Sequence, residues 1–234
     1  MTKMPACHIL SYPALVPYPL ALATQYDLAR RRQAGDVPDT LLLLEHPPTI
    51  TLGRGTVESD LVTTEAELLV RGISVERVDR GGEITYHGPG QLVGYPILDL
   101  REHGQDLHRY LRDLEEVLIR TLAAYGLAGG RVAGRTGVWV GGDKIAAIGI
   151  KVSRWVSLHG WALNVTTDLT PYRRDFVPCG IRDAGVTSLA ELLPGECPTR
   201  ADAEAVCVAA FAEVFGVSPI SVQAIGPELG ILRA

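Results

Sequence analysis

Apolar and polar residues follow two different periods along this chain, and the changes of period divide it into helices and strands. A spacing of three to four residues predicts a helix, whereas alternation or a short continuous apolar run predicts a strand. Helices are predicted over residues 19–34, 64–71, 106–125 and 199–215, and strands over residues 7–12, 40–46, 73–79, 91–100 and 155–165. Residues 137–152 are predicted to form a hairpin, because two β-rich runs flank Gly141-Gly142-Asp143.

This mixture of elements predicts an α+β, or mixed α/β, fold with several neighbouring antiparallel strands. The chain has 234 residues, no repeat and no segment with the composition of a linker. That length is enough to bury a core without a disulfide or a metal. We therefore expect a single domain over residues 1–234.

Composition and charge exclude several classes of function. The net charge of −5 argues against a nucleic-acid-binding protein, which usually carries a basic surface. No apolar run approaches the roughly 18 residues of a membrane helix, and the N-terminus lacks the features of a signal peptide. The four cysteines form no C-x-x-C pair and are expected to be free thiols. The sequence predicts a cytoplasmic protein that binds neither nucleic acid nor membrane and holds no metal.

The most unusual segment is RGGEITYHGPGQLVGYP, residues 80–96, which contains five glycines and the central His87. Glycines allow positive φ and a close approach of the backbone to a ligand, so this loop is a candidate rim for a pocket. Its spacing matches neither the dinucleotide-binding nor the P-loop pattern. The alternative, a pair of tight turns between strands, is equally compatible with the pattern.

Lys144 is one of only three lysines in a chain with 19 arginines. On a regular strand it shares a face with Ala146 and Ile148, and a lysine on an apolar face can act as a base because, unlike arginine, it can lose its proton. The alternative is a lysine at a hairpin end with its amine in water. The opposite face carries Ala147 and Gly149, whose small size leaves room for an extended ligand.

Cys179 lies between Pro178 and Gly180, outside any periodic element. Catalytic residues are common on such loops, and the thiolate is a strong nucleophile. Cys207, in the final helix, and Cys7, in the first strand, are better explained as packed core residues. Cys179 is therefore the candidate nucleophile, and His87 and His159 are further candidates for a site.

Four segments together resemble the lipoyl(octanoyl) transferases, acyltransferases of lipoate biosynthesis. The segments are RGGEITYHGPGQLVGYP, GGDKIAAIGIKV, LHGWALNV and FVPCGI, and the resemblance spans residues 40–190. It implies a central mixed sheet flanked by helices with a smaller sheet, as in the catalytic domains of biotin and lipoate protein ligases. It also implies transfer of an octanoyl group from acyl carrier protein to a lysine of lipoyl domains, with no cofactor. The implied acceptors are the lipoyl domains of 2-oxoacid dehydrogenases and the glycine cleavage H protein.

The resemblance also implies the residues of the site. Cys179 corresponds to the cysteine that carries the acyl thioester, and Lys144 to the lysine that lowers the pKa of that cysteine. The implied acyl-binding residues are Arg80, Gly81, Gly82, Glu83, Ile84, Thr85, Tyr86, His87, Ala147, Ile148, Gly149, Gly160, Trp161 and Ala162. Two alternatives remain at this stage: an ATP-dependent lipoate–protein ligase, and a module that binds an acyl carrier without catalysis.

Overall fold

The structure, a computed structural model, describes residues 4–176 and 185–223. Its strands are β1 (Ala6–Leu15), β2 (Asp39–Glu45), β3 (Thr49–Leu52), β4 (Ser74–Arg77), β5 (Ile84–His87), β6 (Gln91–Ile97), β7 (Gly130–Val132), β8 (Arg135–Val140), β9 (Asp143–Ser153), β10 (Val156–Asn164) and β11 (Ser218–Gln223). Its helices are α1 (Tyr18–Ala34), α2 (Glu65–Val70), α3 (Leu107–Ala123), α4 (Thr170–Arg174), α5 (Leu189–Leu192) and α6 (Arg200–Phe215). Each helix and strand that the sequence predicts is present, and the elements missed are short or, like β11, lie at the sheet edge.

The strands form two sheets. The larger has eight strands in the order β11-β1-β2-β6-β10-β9-β8-β7, and the smaller has three in the order β4-β3-β5. In the larger sheet β11, β1 and β2 are parallel neighbours, whereas every pairing from β2 to β7 is antiparallel. The predicted α+β fold, with a central mixed sheet and a smaller sheet, is confirmed.

Strand β2 explains how the larger sheet holds two hydrophobic cores. Its continuous apolar run is buried on both faces, as such a run predicts. Leu41 and Leu43 pack into a core with α3 and α6, whereas Leu42 and Leu44 pack into a second core with α1. The sheet is therefore a middle layer between α1 on one face and the α3–α6 pair on the other.

Local signals set the ends of the two long helices that cover one face. The side chain of Asp106 accepts hydrogen bonds from the backbone N–H groups of His108 and Arg109, which caps α3. Thr199 and Asp202 form a capping box at the start of α6, as the sequence predicts, and Gly216 ends that helix in the left-handed conformation. In the part of the chain that the structure describes, no helix is long and apolar enough to cross a membrane.

The smaller sheet packs with α2 and α4 around a third core. Residues 78–83 connect β4 to β5 within the smaller sheet, and in this connection the N–H of Gly81 donates to the carbonyl of Ile150 on β9, in the larger sheet, over 2.8 Å. This connection holds the glycine-rich loop against the α1 face of the larger sheet, beside β9 and β10.

Candidate active site

A cavity of about 490 Å³ lies between the glycine-rich loop and strands β9 and β10. Its lining contains Lys144 and all the predicted acyl-binding residues except Tyr86, namely Arg80, Gly81, Gly82, Glu83, Ile84, Thr85, His87, Ala147, Ile148, Gly149, Gly160, Trp161 and Ala162. The structure thus brings three segments that are distant in sequence to one cavity. Cys179 lies outside the described residues.

The glycine-rich loop is held over the cavity by its backbone. The N–H groups of Gly53, Arg54 and Gly55 donate to carbonyls of residues 80–83 over 3.0–3.1 Å. Gly82 has φ +83°, a conformation that favours glycine, and a Cβ at Gly53 would lie only 2.3 Å from the Gly82 carbonyl oxygen. The loop therefore forms a fixed wall of the cavity. Gly53 and Gly82 are explained by the close approach and the conformation of the backbone at these positions.

Regular alternation predicts that Lys144 shares a face with Ala146 and Ile148. In the structure it does not. Val138 pairs with Ala146, whereas its neighbour Trp139 pairs with Lys144, so one extra residue, Ile145, lies between the two pairs. Such a bulge reverses the side on which the preceding residue lies. Ile145, Ala146 and Ile148 pack in the α3–α6 core, and Lys144 instead lines the cavity on the other face.

The neighbours of Lys144 define one end of this cavity. Its ammonium nitrogen lies 4.9 Å from the centre of the Trp139 ring, at the distance of a cation–π contact. Its backbone N–H donates to the carbonyl of Gly185, and its carbonyl accepts from the N–H of Thr187, each over 3.0 Å. Gly185 and Thr187 thus lie directly beside Lys144.

Four small residues form adjacent pairs where β9 meets β10. Ala147 lies opposite Ala162, and Gly149 lies opposite Gly160. The two glycines, however, do not leave space for a ligand: a Cβ at Gly149 would lie 2.8 Å from the Gly81 carbonyl oxygen, and one at Gly160 would lie 2.2 Å from that of Gly94. Their small size serves close packing of the loop and of β6, which corrects the interpretation that they make room for the acyl chain.

Gly149→Ala is expected to lower the free energy of unfolding by about 1–3 kcal/mol, because the new methyl group meets backbone that must move. Gly130→Ala is the matched control, since a Cβ there meets nothing within 4 Å. We expect the control to stay within about 0.5 kcal/mol of the wild type. Urea denaturation measures both, and equal stability of the two variants would contradict the close packing of the loop on β9.

Three of the predicted acyl-binding residues do not line the cavity with their side chains. The side chains of Ile148 and Trp161 belong to the α3–α6 core on the opposite face of the sheet, so these residues border the cavity with their backbone. Tyr86 is outside the cavity lining, and its ring packs against Tyr172 in the core of the smaller sheet.

The closed end of the cavity joins the predicted site residues His87 and His159 to two buried tyrosines that sequence reasoning did not connect with the site. The cavity reaches Tyr18, Tyr95, His87 and His159, each no more than 5% exposed. His46 lies behind them, with its Nε2 2.7 Å from the hydroxyl of Tyr95. The sequence offers two signals for this group, His87 in the glycine-rich segment and His159 in the middle of a strand pattern. Tyr95 lies on β6, near the end of the glycine-rich segment, whereas Tyr18 lies on α1, outside every motif.

Burial keeps the imidazoles of this group uncharged near neutral pH. It lowers the pKa of His46 to about 4, and it lowers the pKa of His87 well below its ordinary value. Burial also lowers the pKa of His159, although the carboxylate of Asp79 acts in the opposite direction. The rings at the closed end are therefore neutral, and the guanidinium of Arg80 and the carboxylate of Asp79 are the charges beside them.

Asp79 connects the glycine-rich loop to three other elements. It accepts hydrogen bonds from Lys151 on β9, Tyr26 on α1 and the Nε2 of His159 on β10, the last over 3.0 Å. Burial alone would raise the pKa of Asp79, but these hydrogen bonds outweigh it and hold that pKa well below its usual range. Since Asp79 directly precedes Arg80, it fixes the start of the cavity wall.

Asp79→Asn is expected to lower the free energy of unfolding by about 1–3 kcal/mol at pH 7, because charged hydrogen bonds are lost. A lowered native pKa stabilises the fold above the unfolded value of about 4, and the contribution is lost as the pH falls through the native value. The difference between wild type and variant should therefore shrink below about pH 4. Denaturant titrations at pH 7 and pH 3 measure it, with the exposed Asp36→Asn as control. A difference at pH 3 as large as that at pH 7 would contradict the role of the charge.

The three cysteines of the described chain are poor nucleophiles. Burial raises the pKa of both the Cys7 and the Cys207 thiols to about 12, and it also raises that of Cys197. None of them borders the cavity. Among the described residues, therefore, no cysteine competes with Cys179 for the role of acyl carrier.

Comparison with solved structures identifies the class of proteins that share this fold. The fold is that of the lipoate–protein ligases: it matches a bipartite lipoate protein ligase from Thermoplasma acidophilum (TM-score 0.72, 17% identity, 97% of this chain and 89% of that one). It also matches a lipoate–protein ligase A bound with ATP (TM-score 0.74, 18% identity, 97% and 91%). The biotin protein ligase of Aquifex aeolicus is a more distant match (TM-score 0.51, 15% identity, 92% and 71%).

Sequence similarity is more specific. Residues 17–212 match the model of the lipoyl protein ligase A/B catalytic domain. The octanoyltransferase of Chloroflexus aggregans is 52% identical over 88% of this chain and 94% of the relative, and that of Rubrobacter xylanophilus is 53% identical over 90% and 95%. The chain belongs to the lipoyl protein ligase A/B catalytic domain family, among its octanoyltransferases. The resemblance seen in the sequence is confirmed, and the chain is an acyltransferase.

Proposed function

We propose that this chain transfers an octanoyl group from acyl carrier protein to a specific lysine of lipoyl domains, through a thioester on Cys179. The observation that supports the proposal most strongly is the single cavity that joins the glycine-rich loop, the small residues of β9 and β10, and Lys144. Its size suits a medium-length acyl chain, and burial of each methylene contributes about 0.8 kcal/mol to binding.

In the first half-reaction, the Cys179 thiolate attacks the carbonyl carbon of the donor thioester. A bond forms between Sγ and the acyl carbon, the bond to the carrier sulfur breaks, and the carrier leaves as its thiol. The Lys144 ammonium, held at the Trp139 ring, stabilises the thiolate before the attack. It also supplies the proton to the departing sulfur.

In the second half-reaction, the amine of the acceptor lysine attacks the same carbonyl carbon. An amide bond forms, the bond between Sγ and the acyl carbon breaks, and the neutral Lys144 amine takes the proton from the attacking nitrogen. The enzyme returns to the thiolate–ammonium pair. A lysine suits both halves of the cycle because its amine can exist with and without the proton.

The proposed acceptors are the lipoyl domains of 2-oxoacid dehydrogenases and the glycine cleavage H protein. The solved structures that share the fold include one described together with an E2 lipoyl domain, which supports acceptors of this kind. The cytoplasmic location that the sequence predicts remains part of the proposal.

The ATP-dependent ligase shares the fold but not the close sequence relatives. An assay that offers two acyl sources separates the two functions. Octanoyl-acyl carrier protein without ATP should acylate a lipoyl domain, whereas free octanoate with ATP should not. Acylation only in the second mixture would replace the transferase with the ligase. Binding of the carrier without acylation in either mixture would indicate a non-catalytic module.

A further inference from the structure

The cavity has an open end and a closed end. Its lining includes the exposed residues Gly134 and Thr136, which mark the mouth beside Lys144, and the half-buried Leu111. Tyr18 and His159 line the same cavity but are only 2% and 1% exposed, so they lie at its floor. An acyl chain bonded at the mouth therefore has its terminal methyl group directed toward the two rings.

The register of β9 and β10 gives the distance between these ends. Ala147 pairs with Ala162, and three residues further along β9 Ile150 pairs with His159. Three residues of a strand span about 10 Å. An extended octanoyl group, with C–C bonds of about 1.5 Å at tetrahedral angles, is roughly 9 Å long. A chain whose carbonyl lies beside Ala147 would end at His159.

The floor is held rigidly. His159 has φ +57° in the middle of a strand, an uncommon conformation for a residue other than glycine. Its backbone N–H donates to the side-chain oxygen of Gln25 over 2.7 Å, and its Nε2 lies 3.0 Å from the carboxylate of Asp79. Its Nδ1 faces the hydroxyl of Tyr18 at 3.4 Å. Moving the imidazole aside for a longer chain would break these buried contacts.

We propose that His159 and Tyr18 form the floor of the acyl cavity and set eight carbons as the longest chain that the enzyme uses well. The inference rests on the proposed function, because it takes an acyl chain as the occupant of the cavity. The sequence identified His159 only as a candidate residue for a site, without a role. As part of the floor, His159 has a defined role in chain-length specificity. Tyr18, which no motif contains, has the same role.

The test is the ratio of kcat/KM for dodecanoyl over octanoyl acyl carrier protein. His159→Gly removes the imidazole at a backbone conformation that glycine adopts freely. It is expected to raise the ratio at least about tenfold, since one methylene in a pocket is worth roughly 10- to 200-fold. Tyr18→Ala, a second way to deepen the floor, should act in the same direction if the first variant folds poorly.

Leu111→Ala is the matched control, because it enlarges the same cavity away from the floor and should leave the ratio near the wild-type value. Calorimetric titration of each protein with octanoate and dodecanoate measures the same preference without transfer. Octanoyl transfer by the wild type tests the proposed function separately. Whether or not transfer occurs, the ratio of the calorimetric affinities for dodecanoate and octanoate tests whether His159 and Tyr18 limit the chain length. A wild-type ratio in both floor variants, or an equal rise in Leu111→Ala, would overturn the inference.

Discussion

Cys179→Ser is expected to lose at least about 10³-fold in kcat/KM for octanoyl transfer, which corresponds to roughly 4 kcal/mol of lost transition-state stabilisation. In the proposed mechanism the Cys179 thiolate carries the acyl group between donor and acceptor, and a serine hydroxyl is a far weaker nucleophile at neutral pH. Steady-state transfer to a lipoyl domain measures the loss, and far-UV circular dichroism establishes that the variant remains folded.

Cys197→Ser is the matched control for this experiment. Cys197 is half-buried, and its thiol has a raised pKa and lies outside the cavity lining, so its replacement should leave kcat/KM within about twofold of the wild type. If transfer survived in Cys179→Ser but failed in Cys197→Ser, Cys197 would carry the acyl group, and its assignment to Cys179 would be wrong.

Lys144→Arg is expected to lower transfer to the amine by about 10²- to 10⁴-fold, the usual contribution of a general base. Arginine keeps the positive charge next to Trp139 but cannot take the proton from the acceptor amine. The first half-reaction should therefore survive in part, so that octanoyl-enzyme accumulates. Rapid-quench measurement of acyl-enzyme and product separates the two half-reactions.

Lys144→Met removes the charge as well, and it should raise the pKa of the Cys179 thiol. The rate of alkylation of Cys179 as a function of pH reports that pKa. Lys151→Arg, an exchange of the other described lysine, should leave the midpoint unchanged, because Lys151 contacts Asp79 and Tyr26 rather than Trp139. If the alkylation rate of Cys179 in Lys144→Met has the same pH midpoint as in the wild type, Cys179 and Lys144 do not interact.

The sequence predicts most of the fold because its strongest signals are local. The apolar run of β2 indicates a strand buried on both faces, and Thr199 with Asp202 predicts the start of α6 within one residue. β11 escapes prediction because it is a short edge strand whose pairing with β1 depends on residues more than 200 positions away. Short elements owe their structure to such distant partners.

The site shows the same division. The glycine-rich loop and Lys144 are recognisable in the sequence, but the side of β9 on which Lys144 lies depends on a bulge at Ile145 that no alternation pattern predicts. The floor was missed for a related reason, since Tyr18 is brought to His159 by the packing of α1 on the larger sheet. Local periodicity contains no information about either event.

The most direct test of a covalent octanoyl transferase is the intact mass of the enzyme after mixing with octanoyl-acyl carrier protein in the absence of a lipoyl domain. We expect one octanoyl group per chain, mapped by peptide digestion to Cys179 and discharged when a lipoyl domain is added. An adduct on Cys7, Cys197 or Cys207, or acylation of the lipoyl domain without any acyl-enzyme, would contradict the account.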